Sequence, residues 1–242
     1  MERIIVENVS KKFKIGFKKR QNALESFVSF FSGKEPKKEM WALTNVSFKA
    51  NSAEIIGIIG ENGSGKSTLL RTIAGIYKQD NGKIKTNGKI ISLINLNVGM
   101  QHRLTMKDNI YLCCTLFNLS KKEIKKKFNP IVKFSELEKF IDTKLYQFSN
   151  GMLQRLTFSI AIHSNPDILL LDEVFEIGDE NFRKKSVEKI KDLVNNGVAV
   201  ILVSHHLRMI ERYCKRVIWL EQGKIKKEGK AREVVKEYQN ET

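Results

Sequence analysis

Gly60-Glu61-Asn62-Gly63-Ser64-Gly65-Lys66-Ser67-Thr68 decides the fold. Residues 54–59 before it read as a buried strand, and Leu69, Leu70, Ile73 and Ala74 after it form an apolar stripe at helical spacing. The stretch fits G-x-x-x-x-G-K-[ST] in the strand–loop–helix setting that gives the pattern a mechanism. Its glycines let the backbone wrap a phosphate with N–H groups, and the helix N-terminus adds a favourable dipole. Lys66 can reach the outer phosphates, and the Ser67 hydroxyl can ligate Mg²⁺. A glycine-rich turn that merely precedes a lysine needs neither flank. The loop implies binding of a nucleoside triphosphate.

The 242 residues suffice for one large domain with a sizeable core. No apolar stretch approaches bilayer-crossing length and the N-terminus lacks a signal-peptide core, so a cytoplasmic protein is expected. Cys113 and Cys114 are adjacent and Cys214 is distant, which is neither a zinc spacing nor a disulfide framework; small buried or half-buried side chains are expected. The formal charge of +16 includes lysine-rich runs at residues 11–20, 121–127 and 224–230. Such a balance suits nucleic acid, an anionic membrane surface or a phosphorylated substrate, and equally a solvated lysine-rich surface.

Outward from the loop, a strand over residues 4–9 opens the chain and the first basic run follows. Residues 22–31 then read as an amphipathic helix, with Asn22 and Glu25 as a capping box and Leu24, Phe27, Val28 and Phe31 on one face. A strand near residues 42–48 leads to the strand of the loop itself. Turn signals at Asp80-Asn81-Gly82 and Asn87-Gly88 separate short strands between residues 83 and 94, read as an antiparallel β piece. Residues 103–165 are mostly helical in pattern, with capping candidates at Thr105 and Ser120. Strand 168–171, helix 181–196, strand 198–203, a hairpin turned at Gln222-Gly223 and a short helix return to α/β alternation.

Ile168-Leu169-Leu170-Leu171-Asp172-Glu173 is an apolar strand ending in two carboxylates. In a P-loop fold such a strand end lies beside the phosphates. Asp172 can hold Mg²⁺ there through water, and Glu173 can orient and polarise the attacking water. The stretch Gln147-Phe148-Ser149-Asn150-Gly151-Met152 opens a helix over residues 152–163. Ser149 and the Gly151 backbone can present a hydroxyl, N–H groups and a helix N-terminus to an anion.

With these residues in place the chain resembles the ATP-binding subunits of ABC transporters. The resemblance implies an α/β fold: a P-loop NTPase ABC nucleotide-binding domain with an antiparallel β subdomain and a helical subdomain. One such domain is expected over residues 1–242, its helical subdomain at about 103–165 and an N-terminal insert at about 17–41. Phe148 to Met152, with Ser149, Asn150 and Gly151, stand where the family has Leu-Ser-Gly-Gly-Gln, the signature that binds the γ-phosphate of ATP held by the opposite subunit. His205, after Val203-Ser204, matches the switch histidine, with His206 where an aspartate commonly stands. Asp179 matches the loop that communicates across the dimer. Phe13 matches the aromatic that stacks on adenine, or is a core aromatic beside the first strand. The family glutamine that couples Mg²⁺ to the membrane partner corresponds either to Asn95 or to Gln101.

Within the family, Gly151-Met152 followed by Gln154-Arg155-Leu156, Asp172-Glu173-Val174 running on to Ile177-Gly178-Asp179-Glu180-Asn181-Phe182, and Asn95-Leu96-Asn97-Val98-Gly99-Met100 are similar to the polysaccharide-exporting branch. That likeness implies ATP and Mg²⁺ as cofactors, a head-to-tail homodimer, an integral membrane permease and a lipid-linked polysaccharide of O-antigen, capsule or teichoic-acid type. It implies a position at the cytoplasmic face of the membrane and no nucleic-acid partner. Some members add a C-terminal carbohydrate-binding domain; with the sequence ending at Thr242, none is expected here. The alternatives are an ABC subunit for an ion, peptide or drug, and a soluble ABC ATPase on nucleic acid or ribosomes. The latter usually carries two cassettes or a long coiled coil, whereas this sequence has one P-loop and no sustained heptads.

Overall fold

The computed structural model describes residues 1–15, 38–94, 99–172 and 178–241. The helix expected at residues 22–31, Asn95 and Glu173 lie outside the described residues. Two sheets organise the rest. The smaller is antiparallel, ordered β2-β1-β4, from β1 (Glu2–Ile15), β2 (Lys38–Asn51) and β4 (Asn81–Thr86). The larger is ordered β5-β6-β7-β3-β8-β9, from β3 (Ile55–Ile59), β5 (Ile90–Leu93), β6 (Ile168–Asp172), β7 (Ala199–Val203), β8 (Arg216–Glu221) and β9 (Lys224–Lys230). Its strands run parallel except for the β8–β9 hairpin. β3 and β7 are buried at every residue, as expected of central parallel strands covered on both faces, while β9 is exposed along one side of an edge.

The first strand outruns its expected bounds. β1 continues past residue 9 to Ile15 because β2 pairs with it as far as Lys38, so Lys11, Lys12 and Lys14 are strand residues. Lys38 to Trp41, expected inside the insert, likewise belong to β2. A second difference concerns β5, which the sequence placed in the antiparallel piece. It pairs with β6 in parallel, Ile90 opposite Ile168 and Leu93 opposite Leu171. The crossing between sheets is fixed at Gly88, whose φ of +114° and position leave no space for a side chain; a Cβ would come within 2.4 Å of Asp167. The Asp167 carboxylate accepts from the Lys89 N–H at 2.8 Å, which carries the chain onto the edge of β6.

The helices are α1 (Lys66–Ile73), α2 (Met106–Leu116), α3 (Lys121–Ser135), α4 (Asn150–His163), α5 (Glu180–Asn195), α6 (Leu207–Tyr213) and α7 (Ala231–Glu241). Both capping candidates cap their helices, each in a capping box: Thr105 with Asp108 starts α2, and Ser120 with Glu123 starts α3. Helices α2 to α4 close their own core around Met106, Ile110, Ile124, Leu145 and Leu156. α4 also sends Phe158, Ala161 and Ile162 into the core of the large sheet, so one helix holds both bodies. The three cysteines are free and buried; burial pushes the Cys113 thiol up to about 11, which keeps it a neutral packing group.

Candidate nucleotide site

β3 ends in Gly60 and the chain turns at once into α1. Gly60 has φ +145°, and a Cβ there would lie 2.1 Å from the Leu220 carbonyl oxygen. Gly65 has φ +107°, with the Ala42 carbonyl oxygen 2.5 Å from where its Cβ would be. Only glycine lets the loop pass between β8 and β2. The β8–β9 turn braces the loop: the Gly223 N–H donates to the Ser64 carbonyl at 3.0 Å, and the Gly223 carbonyl accepts from the Thr44 N–H at 2.8 Å.

Gly65 begins α1 without any side-chain cap, leaving first-turn N–H groups directed at whatever anion occupies the loop. Lys66 is 6% exposed, and its Nζ donates to the carbonyls of Gly60 at 2.6 Å and Glu61 at 2.7 Å. The cation is thus held inside the loop, where a phosphate can replace those carbonyls. A cavity of about 420 Å³ opens over Asn62, Gly63, Gly65, Lys66, Ser67 and Thr68, and is lined also by Phe13, Trp41, Val203 and His205. Glu61 and Ser64 instead line a smaller cavity of about 180 Å³ on the far side of the loop, with Trp219 and Tyr238. The Ser64 Oγ is buried there without a hydrogen-bond partner.

Asp172 ends β6, half-buried and in register with Val203 of β7. Val203 lines the cavity; Asp172 itself is not among its lining residues. Among the described residues no three His, Cys, Asp or Glu side chains gather as a metal-holding group. The Ser67 hydroxyl and Asp172 carboxylate are hard oxygen donors, and Mg²⁺ is usually held by one or two such groups plus substrate phosphates. These residues suit a Mg²⁺ that enters with the nucleotide, not one caged by protein alone.

The signature residues sit elsewhere. Ser149 caps α4, its Oγ accepting from the Met152 N–H at 3.2 Å. Ser149 and Asn150 are exposed, Gly151 and Met152 half-buried, and none of the four lines the cavity over the phosphate loop. Asp179 caps α5 by accepting from the Phe182 N–H at 2.9 Å, and pairs with the Arg155 guanidinium of α4 at 2.7 Å. The Phe182 N–H first, then Arg155, hold its carboxyl below the usual carboxylate range. Arg155 also reaches Glu136 at 2.9 Å and lies over the Phe182 ring at 5.0 Å. Gln101 is exposed; its N–H and carbonyl are both held by the fully buried Asn109 side chain, and it does not line the cavity.

Sequence reading missed two residues at this site. Trp41 escaped because it was assigned to the insert, although an aromatic just ahead of a strand near residue 42 was a usable signal. Arg155 was quoted only as part of a motif, and nothing in the local pattern announces its reach to Glu136 and Asp179.

A parallel sheet, a phosphate loop opening α1 and an acidic strand end beside it define a P-loop nucleotide-binding domain. Residues 43–176 match the ABC transporter family, and the chain belongs to it as an ATP-binding subunit. It is 40% identical to the teichoic acids export ATP-binding protein TagH of Lactococcus lactis, over 98% of this chain and 50% of that protein. It is 39% identical to the O-antigen export system ATP-binding protein RfbB of Klebsiella pneumoniae, over 81% of this chain and 80% of that one. The chain thus spans about half the length of the Lactococcus relative. Among solved structures, an ATP-binding cassette captured as a dimer after hydrolysis, bound to ADP and Pi, superposes with TM-score 0.76 at 25% identity, covering 94% of this chain and 98% of that one.

Proposed function

We propose that this chain is the ATP-hydrolysing subunit of an exporter of lipid-linked polysaccharide, working as a head-to-tail homodimer on an integral membrane permease at the cytoplasmic face of the membrane. One observation supports the cargo class above all. The chain resembles, over 81% or more of its length, ATP-binding proteins named for two different cell-surface polymers, teichoic acid and O-antigen. No helix among the described residues is long and apolar enough to cross a membrane, so the translocating path is assigned to a partner.

In this reading Gly60 to Thr68 bind the triphosphate, Lys66 neutralises its outer phosphates, and Phe13 stands at the nucleoside end. Ser67 and Asp172, with Asn95, would hold Mg²⁺, which would supply neutralisation of phosphate charge. Glu173 orients the attacking water, and His205, exposed at the cavity wall, contacts the γ-phosphate. Ser149, Asn150, Gly151 and Met152 complete the site of the opposite subunit, and Asp179 links the two sites. Catalysis is positioning and electrostatics, with no covalent intermediate.

The test is made in cells. Removing the chain should leave the lipid-linked polymer accumulated inside, wild-type protein should restore export, and Lys66→Ala should not. Normal surface polymer without the chain would refute the cargo assignment.

A further inference from the structure

The phosphate loop has a back as well as a front. Behind it lies the smaller cavity of about 180 Å³, to which the loop supplies Glu61 and Ser64, β8 supplies Trp219 and Glu221, and α7 supplies Tyr238. None of these five residues lines the nucleotide cavity.

Ser64 points to a ligand there. Its N–H donates to the Glu61 carbonyl at 3.2 Å and its own carbonyl accepts from the Gly223 N–H at 3.0 Å, so both backbone groups are taken up. The residue is 5% exposed and its Oγ has no hydrogen-bond partner. Buried polar groups in native proteins are nearly always paired, and an orphaned hydroxyl calls for a group that completes it.

The walls favour a cation. Although the chain carries a net charge of +16, no cation among the described residues pairs with the Glu61 carboxylate. Glu221 is already paired with Lys226 at 2.8 Å. The Lys226 Nζ lies 4.1 Å from the Trp219 ring centroid, yet Lys226 does not line the cavity. That pairing shows what such walls hold, since a carboxylate and an indole face together suit an ammonium. Tyr238 meets Trp219 edge-on with centroids 5.1 Å apart. Burial first, then the charge of Glu61, pushes its phenol above the ordinary value, which sets the carboxylate near this ring.

We propose that the cavity behind the phosphate loop binds a small primary ammonium ion, its N–H groups donating to the Glu61 carboxylate and the Ser64 Oγ and its short carbon chain lying against Trp219. Glu61 faces both ways, because its carbonyl accepts from the Lys66 Nζ at 2.7 Å while its side chain lines the back cavity. The site does not depend on which cargo is exported.

The probe is n-propylammonium chloride, set against tetramethylammonium chloride and NaCl at equal ionic strength. Tetramethylammonium keeps the charge but has no N–H to donate. The readout is the fluorescence of a Trp41→Phe protein, in which Trp219 is the remaining tryptophan. Propylammonium should change it saturably, and neither control salt should. In the same background Glu61→Gln, at an exposed position, should weaken propylammonium about tenfold or more. Ser64→Ala should weaken it by a smaller factor, and melting curves establish that each variant is folded. No saturable change with propylammonium, an equal change with tetramethylammonium, or unaltered affinity in either variant would overturn the proposal.

Discussion

The phosphate loop and the signature stretch are both glycine-containing turns that open a helix, and the fold finishes them differently. At the phosphate loop, Gly65 leaves the first turn of α1 uncapped and Lys66 is buried inside the loop. At the signature, Ser149 caps α4 with its own hydroxyl, and Ser149 and Asn150 face outward. One region has its cradle complete within the chain, braced by β8, β9 and β2. The other is a surface held mainly by a cap and by the Arg155 ion pairs with Glu136 and Asp179. A half-site built to be completed by a second molecule has this character.

The sharpest way to break that contrast is to damage the finished half. Lys66→Ala should cut ATP turnover by about 10³-fold and weaken binding of ATP and tripolyphosphate together, because the lost charge is inside the loop. Turnover within tenfold of wild type in a steady-state ATPase assay would mean the cradle does not need its cation. Glu173→Gln should cut turnover by about 10²-fold while nucleotide binding stays intact, since only the water loses its orienting carboxylate. That variant should accumulate as an ATP-dependent dimer on size exclusion. Wild-type turnover would remove Glu173 from its role.

Much of this was legible in the sequence because the phosphate loop is a local device: its glycines, lysine and hydroxyl are consecutive, and its strand and helix carry their own periodicities. The caps at Thr105, Ser120 and Ser149 are local for the same reason. Non-local pairing was not legible. β5 reads as another short strand after a turn, and only Gly88 pressed against Asp167 sends it to the parallel sheet. β1 reads as ending at residue 9 because lysines dilute its alternation, and only pairing with β2 carries it to Ile15. Trp41 was hidden by the same error, since its place at the cavity depends on a register shift between two strands. Arg155 needed three elements to meet.

A gentler test addresses the unfinished half. If Ser149 acts on ATP bound by another copy, Ser149→Arg and Lys66→Ala proteins should each be nearly inactive alone. Mixed, they form dimers with one intact composite site and one doubly damaged site, so part of the activity should return, up to about a quarter of wild type if the copies pair at random and each intact site turns over independently. A signature that served its own phosphate loop would leave every site in the mixture broken. No recovery despite mixed dimers demonstrated by differential tagging would count against a shared site.

The smallest expected effect concerns what holds the signature side in place. Asp179 is both the cap of α5 and the partner of Arg155, and Asp179→Asn separates the roles, because asparagine caps as well as aspartate but cannot form the ion pair. The pair is exposed, so its contribution is small and open to screening, whereas the Lys66 contacts are buried. At pH 7 and low salt, Asp179→Asn should lower Tm by no more than a few degrees. Since the folded carboxyl lies below its ordinary value of 3.8, its stabilisation is fully present above that pH and is lost as pH falls through the folded value. The difference in Tm between wild type and variant should therefore persist from neutral pH to about 4, close below it, and shrink at about 0.5 M salt at any pH. The absence of any Tm difference between wild type and variant, at neutral pH and low salt, would show that Asp179 works only as a cap. The contrast between a buried cradle and an ion-paired surface would then have to rest on Glu136 and its pairs with Arg155 and Lys185.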